Sequence, residues 1–138
     1  MAEEMATTTY SVPGPFEQAV TSLRKALTDG NLKLAGELDM SSRIRQRLLI
    51  DTAPCRVLFV SATPTVFEEL GADPYAAALM PLHIVVSARG SQTEIHVLRT
   101  LSNHNSPLDR PTMDAFRQLQ ARIAQAVERI GMRVTLGA

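Results

Sequence analysis

The sequence predicts an α+β domain in which a mainly antiparallel sheet of four or five strands carries two long helices on one face and short helices between strands. Apolar residues recur at helical spacing over two long stretches, one near each end of the chain. Between these stretches, short runs with apolar residues at alternate positions are separated by Pro, Gly and Asn, which is typical of strands joined by turns. Helices and a sheet segregated in this way pack as two layers around one core.

The first nine residues are predicted to be a frayed or disordered tail. Residues 1–9 carry Glu3 and Glu4 and have no apolar core, so they are not expected to be a signal peptide. A single domain is expected over residues 10–138, because a chain of 138 residues has the size of one domain. Its first element is a short strand over residues 10–12.

The first long helix is predicted over residues 16–28. Pro15 favours the start of a helix because its fixed φ is helical and its missing N–H is not needed there, and Gly30 ends the element. The apolar positions of this segment share one helix face: Phe16, Ala19, Val20, Leu23, Ala26 and Leu27. We expect that face to pack on the sheet.

Two strands with a short helix between them are predicted next. Leucines at alternate positions indicate a strand over residues 32–39, with Gly36 as a bulge. A pair of serines caps a short helix over residues 42–49. The following strand, over residues 56–60, is apolar on both faces, as in strands that are covered on both sides.

The remaining helices begin at capping or proline residues. Helical segments are expected over residues 64–70 and 73–79, since a Pro stands at the start of each. The second long helix is predicted over residues 112–131, with Thr112 as its cap and Gly131 at its end. Its apolar face contains Phe116, Leu119, Ile123, Val127 and Ile130.

A β-hairpin is predicted around the turn at residues 89–92. If residues 89 and 92 face each other, Ile84 faces Val97 and Val86 faces Ile95. This register places the apolar residues of both strands on one face, and a shift by one residue would separate them.

The order of these elements resembles domain-of-unknown-function family 302. The residues that carry the resemblance are, in chain order, the helix over 16–28, Gly30, the strand ending at Asp39, the strand leading to Pro64, Asp73-Pro74, and Pro81 before a Val-rich strand. They span a core of about residues 10–100, and the helix over 112–131 lies outside it. The resemblance implies the α+β fold and self-association.

The chain departs from the family pattern at two places. Members often carry Asn or Cys-Asn before the Pro that follows the strand, where this chain has Ala62-Thr63. They often carry Cys after the later Pro, where this chain has Leu82. If those residues bind or react in relatives, this chain lacks that chemistry, so the resemblance implies no catalytic residue and no cofactor.

Charge and cysteine content exclude several classes of partner and site. The net charge of zero and the pI of about 6.8 give no expectation of binding to nucleic acid or to a membrane. Arg43, Arg45 and Arg47 are the one local concentration of basic residues, and we interpret them as a solvated helix face. Cys55 alone cannot form an internal disulfide or a cysteine-cluster metal site, and a free thiol suits the reducing cytoplasm.

His83 and His96 form a candidate polar pair. In the predicted register residue 83 faces residue 98 and residue 85 faces residue 96, which makes the histidines diagonal neighbours about 7–8 Å apart at the backbone. That separation suits two ligands of one metal or a proton-handling pair, but the sequence offers no spaced third ligand. We interpret them as histidines on a partly exposed or interface face of the hairpin. A metal-dependent or histidine-based enzyme that uses both is the alternative function.

Ser61, Thr63 and Thr65 form a candidate anion site. They lie where a strand gives way to a helix, and free N–H groups at a helix start attract anions while hydroxyls add donors. Plain capping, with Thr63 as the cap and Pro64 at the first helical position, explains the same residues.

The apolar surface of the central strands predicts a homodimer. Leu58 and Val60 are apolar, and so are Val57 and Phe59 on the opposite side of the same strand. Two short helices cover only part of a second apolar face, and a second copy of the chain covers it by a two-fold contact that closes on itself. The predicted function is therefore a non-catalytic homodimeric domain that binds a small molecule or an anion.

Overall fold

A computed structural model describes residues 7–61, 82–98 and 110–134 and has the predicted α+β architecture. The strands are β1 (Thr7–Pro13), β2 (Lys33–Asp39), β3 (Cys55–Ser61), β4 (Leu82–Arg89), β5 (Gln92–Leu98) and β6 (Met132–Arg133). The helices of the described ranges are α1 (Phe16–Asp29), α2 (Met40–Leu48) and α3 (Arg110–Glu128). The helical segments predicted over 64–70 and 73–79 lie outside the described residues.

The sheet contains six strands in the order β2-β3-β4-β5-β1-β6, and each neighbouring pair is antiparallel. The prediction of four or five strands is therefore wrong. The additional strand, β6, has two residues that pair with Tyr10 and Ser11 of β1, and such a short element has no apolar alternation to reveal it. The strand β1 also begins at Thr7, so the last three residues of the predicted tail belong to the sheet.

The hairpin of β4 and β5 has the predicted register. Ile84 faces Val97, Val86 faces Ile95, and Arg89 faces Gln92 across the turn. Gly90 adopts a φ of 62° at the first central position of that two-residue turn, where a left-handed conformation favours glycine. The side chains of Ile84, Val86, Ile95 and Val97 are all buried, which confirms that pairing apolar residues fixed the register.

Both long helices pack on the same face of the sheet, and they contact each other. The core between the layers contains Val20, Leu23 and Leu27 of α1, Leu119, Ile123 and Val127 of α3, and Leu58, Val60, Ile84, Val86 and Ile95 of the sheet. Tyr10 of β1 is 2% exposed, and its hydroxyl donates to Glu128 Oε2 of α3 over 3.3 Å. Burial and the Glu128 carboxylate raise the pKa of Tyr10.

The edge strand β2 contains a register shift between Leu34 and Gly36. Leu34 faces Val60 before the shift and Glu37 faces Leu58 after it, so both lie on the helix side of the sheet. Leu38 faces Val57 on the other side. The extra residue therefore separates Leu34 from Leu38, which simple alternation places together.

Ion pairs join α1 to the edge of the sheet. Arg24 Nη2 of α1 donates to Glu37 Oε1 of β2 over 2.8 Å, and Arg56 Nη2 of β3 donates to Glu17 Oε2 over 2.9 Å. The Arg56 guanidinium also stacks 5.3 Å from the centroid of the Phe16 ring. The bulge turns the Glu37 carboxylate toward α1, where it accepts from Arg24 while remaining exposed to solvent.

The short helix α2 is capped by Asp39, whose carboxylate accepts from the Ser42 N–H over 3.0 Å. The sequence pointed to Ser41 and Ser42 as caps, but the helix begins at Met40, so the capping position falls on the preceding residue. The amide of Ser42 holds the pKa of Asp39 below its usual range. None of the described helices is both long enough and apolar enough to cross a membrane.

Candidate functional site

The face of the sheet opposite α1 and α3, which we call the open face, carries the candidate site. Pairing across the sheet aligns Leu38, Val57, Val85, His96 and Thr9 in one row. A second row contains Gly36, Phe59 and His83, and a third contains Cys55, Ser87, Glu94 and Ser11. The open face therefore divides into an apolar half in the middle of β2 to β4 and a polar half on β5, β1 and Ser87 of β4, with His83 at the border.

The apolar half consists of Leu38, Val57, Phe59 and Val85, which are all half-buried. Their neighbours along the same strands, such as Leu58 and Ile84, are fully buried on the helix side. The central strands are thus apolar on both faces, as their sequences predicted.

The polar half is organised around His96. Its Nδ1 lies 3.0 Å from Thr9 Oγ1 of β1, and its Nε2 lies 3.2 Å from Ser87 Oγ of β4. Glu94 Oε1 lies 3.7 Å from the same Nε2. We call these four residues the His96 cluster. Because both ring nitrogens have partners, the orientation of the imidazole is fixed.

His83 lies on the open face but outside the His96 cluster. It is exposed and faces Phe59 of β3, while His96 faces Val85, so the two histidines are diagonal neighbours as the register predicted. The polar contacts of His96 go to Thr9, Ser87 and Glu94. Over residues 7–61, 82–98 and 110–134, no three His, Cys, Asp or Glu side chains are grouped so that they could hold a metal ion.

Sequence reasoning missed two members of the cluster for different reasons. Ser87 faces Glu94 in the predicted register, so the hairpin alone could have revealed it. Thr9 could not be found, because it stood in the segment predicted to be a tail and its strand pairs with residues 79 positions or more away in the chain.

The anion site is described only at Ser61, since Thr63 and Thr65 lie outside the described residues. Ser61 is the last residue of β3 and is half-buried. Its pairing partner on β2 is Lys33, which is exposed. A cationic side chain therefore stands beside the end of the strand where the sequence predicts an anion to bind.

Cys55 begins β3 and is half-buried at the edge of the apolar half. Burial raises the pKa of its thiol, and the negative charge of Asp39 raises it further. A thiol that stays protonated is a poor nucleophile, so these surroundings favour an inert side chain at Cys55.

Comparison with known proteins identifies the fold and the family. A crystal structure of an uncharacterized conserved DUF302 protein from Bacillus stearothermophilus is similar to this chain, with a TM-score of 0.77 and 15% sequence identity. The similarity covers 90% of this chain and 97% of that chain, and at this identity it concerns the fold alone. No curated protein matches the chain.

The family model extends further than the resemblance noted in the sequence. The model for the domain of unknown function DUF302 matches residues 8–130. It therefore includes α1, the sheet from β1 to β5, and α3, whereas the recognisable motifs ended near residue 100. Because the match covers most of the chain, the chain belongs to the DUF302 family.

Proposed function

We propose that this chain is a homodimeric binding domain that holds a small molecule or an anion and catalyses no reaction. The observation that carries the proposal is the apolar half of the open face, where Leu38, Val57 and Val85 form an unbroken row across three strands. These side chains are apolar and only half-buried, which suits association with a second copy of the same surface. The protein acts in the cytoplasm, where Cys55 stays reduced.

The free energy gained by burying the apolar half between two copies supports a dimer. Burying apolar surface stabilises by about 25 cal/mol per Å², so a few hundred Å² is worth several kcal/mol. That amount is comparable with the net stability of a domain. Two-fold association also leaves no exposed apolar surface that could bind further copies, because each copy covers the same patch on the other.

Light scattering tests the homodimer at micromolar concentration. We expect a mass of about twice the 15.1 kDa of the chain. Val57→Asp and Val85→Asp, with folding checked by circular dichroism, should give folded monomers because a buried unpaired carboxylate opposes the contact. Thr21→Asp on the exposed side of α1 is the control and should remain dimeric. A wild-type mass of 15.1 kDa contradicts the proposal.

The anion is proposed to bind at the end of β3, beside Ser61, Thr63 and Thr65. Lys33 supports this location, since its ammonium group is carried by the residue that pairs with Ser61. Hydroxyls, backbone N–H groups and one cation form a common donor set for phosphate or sulfate.

Calorimetric titration of the protein with inorganic phosphate tests the anion site. We expect saturable binding of phosphate to the wild type. The affinity should fall about tenfold in Lys33→Met, because this substitution removes one charge-assisted contact. Lys25→Met removes an exposed lysine of α1 and is the matched control. Equal affinity in the two lysine variants, or no binding in the wild type, contradicts the site without affecting the homodimer.

The geometry of His96 favours a histidine-based enzyme as the second candidate. An imidazole held between Thr9 and Ser87, with Glu94 3.7 Å from Nε2, has a defined orientation toward the open face. Zinc titration separates this candidate from the binding domain. A metal-dependent enzyme predicts near-stoichiometric uptake that is lost in His83→Ala, and the binding domain predicts no tight uptake.

A further inference from the structure

The C-terminal end of α2 presents a contiguous apolar surface, Leu48–Ile50, which we call the apolar tip. Leu48 is 62% exposed, Leu49 is 87% exposed and Ile50 is 53% exposed. In the described part of the chain, the one other large hydrophobic residue with this exposure is Met132, at the far edge of the sheet. Three of the four most exposed apolar residues are therefore consecutive.

The local backbone makes the apolar tip protrude. The helix ends at Leu48, and Leu49 takes a left-handed conformation with a φ of 57° while its N–H donates to the Arg45 carbonyl over 2.8 Å. Residues 49–54 are all exposed. Glycine or asparagine adopts this conformation more readily than leucine, so neither backbone geometry nor core packing explains an exposed leucine here.

The apolar tip follows a basic stretch of α2 and precedes Asp51. Arg43, Arg45 and Arg47 are all exposed on α2, and residues 40–50 contain no acidic side chain. Arg45 pairs with Asp51 at 3.0 Å. Arg43 and Arg47 lie one turn apart on the helix, and neither has an ion pair with another described residue. The net charge of zero for the whole chain is therefore compatible with a local excess of positive charge, carried by Arg43 and Arg47 before the apolar tip.

We propose that the apolar tip and the α2 arginines dock on the surface of an anionic lipid bilayer. A bilayer accepts exposed apolar side chains without a shaped groove, and the apolar tip offers three of them. Arginines beside exposed leucine and isoleucine combine attraction to acidic headgroups with shallow apolar insertion, the two contributions that retain peripheral proteins. The proposal is independent of the anion site, which lies at the opposite end of β3.

Co-sedimentation with phosphatidylcholine vesicles that contain phosphatidylserine tests the proposal. We expect the wild-type protein to bind these vesicles, to bind weakly to phosphatidylcholine alone, and to dissociate at high salt. The triple substitution Leu48→Ser, Leu49→Ser and Ile50→Ser should weaken binding at least about tenfold. Arg43→Gln with Arg47→Gln should weaken it about tenfold or more on anionic vesicles. Met132→Ser removes an equally exposed apolar side chain elsewhere and should change nothing.

Three results would contradict the proposal that the apolar tip docks on a bilayer. The first is a wild-type protein that stays in solution with phosphatidylserine vesicles at low salt. The second is full binding by the apolar-tip variant or by the arginine variant, both of which change only exposed side chains and should fold. The third is a halved solution mass of the apolar-tip variant by light scattering, which would make the tip an interface between copies of the chain.

Discussion

Gly131 shows how the size of one side chain decides how closely the segment after α3 can approach the sheet. A Cβ added there would lie 2.9 Å from Val12 Cγ2 and 3.0 Å from the Ser11 carbonyl oxygen. The sequence marked Gly131 only as the end of a helix. Its structural role is close approach to β1, which lets Met132 and Arg133 pair as the sixth strand.

Gly131→Ala should lower the free energy of unfolding by about 1–3 kcal/mol, because the backbone of β1 must shift to admit the methyl group. Gly36→Ala is the matched control, since a Cβ at that position meets nothing within 4 Å. Its stability should be unchanged or slightly raised. Urea unfolding measures both variants. Equal midpoints for the two would contradict the role of close approach at Gly131.

Leu49 is strained by its left-handed backbone as well as exposed. Leu49→Gly should raise the free energy of unfolding by about 0.5–1 kcal/mol, because glycine adopts a φ of 57° without the steric conflict of a Cβ. Leu48→Gly, one residue earlier and still in the helix, should lower it by up to about 1 kcal/mol. Thermal unfolding compares the two, and a loss of stability in Leu49→Gly would refute the assignment of strain.

Individual site residues could be predicted only where a register could be predicted. The shared face of His83 and His96 followed from pairing the apolar residues of one hairpin. Thr9 reaches His96 through a pairing between strands that are distant in the chain, and nothing in a run of threonines indicates its partner. The sequence therefore located the histidines but not the contacts that hold His96.

At the scale of elements, the ion pair between Arg24 and Glu37 connects α1 to the edge strand. A side-chain hydrogen bond from Arg24 lowers the pKa of Glu37 in the folded protein. A carboxyl group with a lowered folded pKa stabilises the fold above its unfolded pKa, about 4.3, and that contribution is lost as the pH falls through the folded pKa. The edge of the sheet should therefore weaken in acid.

Acid unfolding provides the test of this connection. Arg24→Met should lower the free energy of unfolding at pH 7 by about 0.2–1 kcal/mol, the usual range for a partly exposed ion pair. It should also lose less stability than the wild type between about pH 5 and pH 3, because the Glu37 pKa is then lowered less, by the charge of Arg56 alone. Lys25→Met removes a more exposed pair with Asp29 and should follow the wild-type curve. Parallel acid curves for wild type and Arg24→Met would contradict the prediction.

Elements were predictable where apolar residues alternate over several positions and were missed where they do not. The strands β3, β4 and β5 have such runs, and each was found. The two-residue β6 and the first three residues of β1 have none. The bulge in β2 was expected from Gly36, but its consequence was not, because only the pairing with β3 reveals that Leu34 and Leu38 point to opposite faces.

At the scale of the whole molecule, the two-layer arrangement follows from the two long apolar helix faces. Each needs a surface to cover it, and an antiparallel sheet with one apolar face provides that surface. The same reasoning leaves the open face of β2 to β4 without a long helix among the described residues. If a second copy of the chain covers this face, the cover depends on the concentration of the protein, so the test varies that concentration.

Thermal unfolding over a range of concentrations should reveal the dimer. If two copies associate through the apolar half, the folded dimer is favoured by mass action, and a roughly hundredfold rise in concentration stabilises it by about 2.7 kcal/mol. The Tm of the wild type should therefore rise by several degrees from the low to the high micromolar range. The Tm of Val57→Asp should not depend on concentration, because the carboxylate keeps the copies apart, and Thr21→Asp on α1 should behave like the wild type. A wild-type Tm that is independent of concentration, together with a monomeric mass, would mean that the apolar half is covered within the single chain.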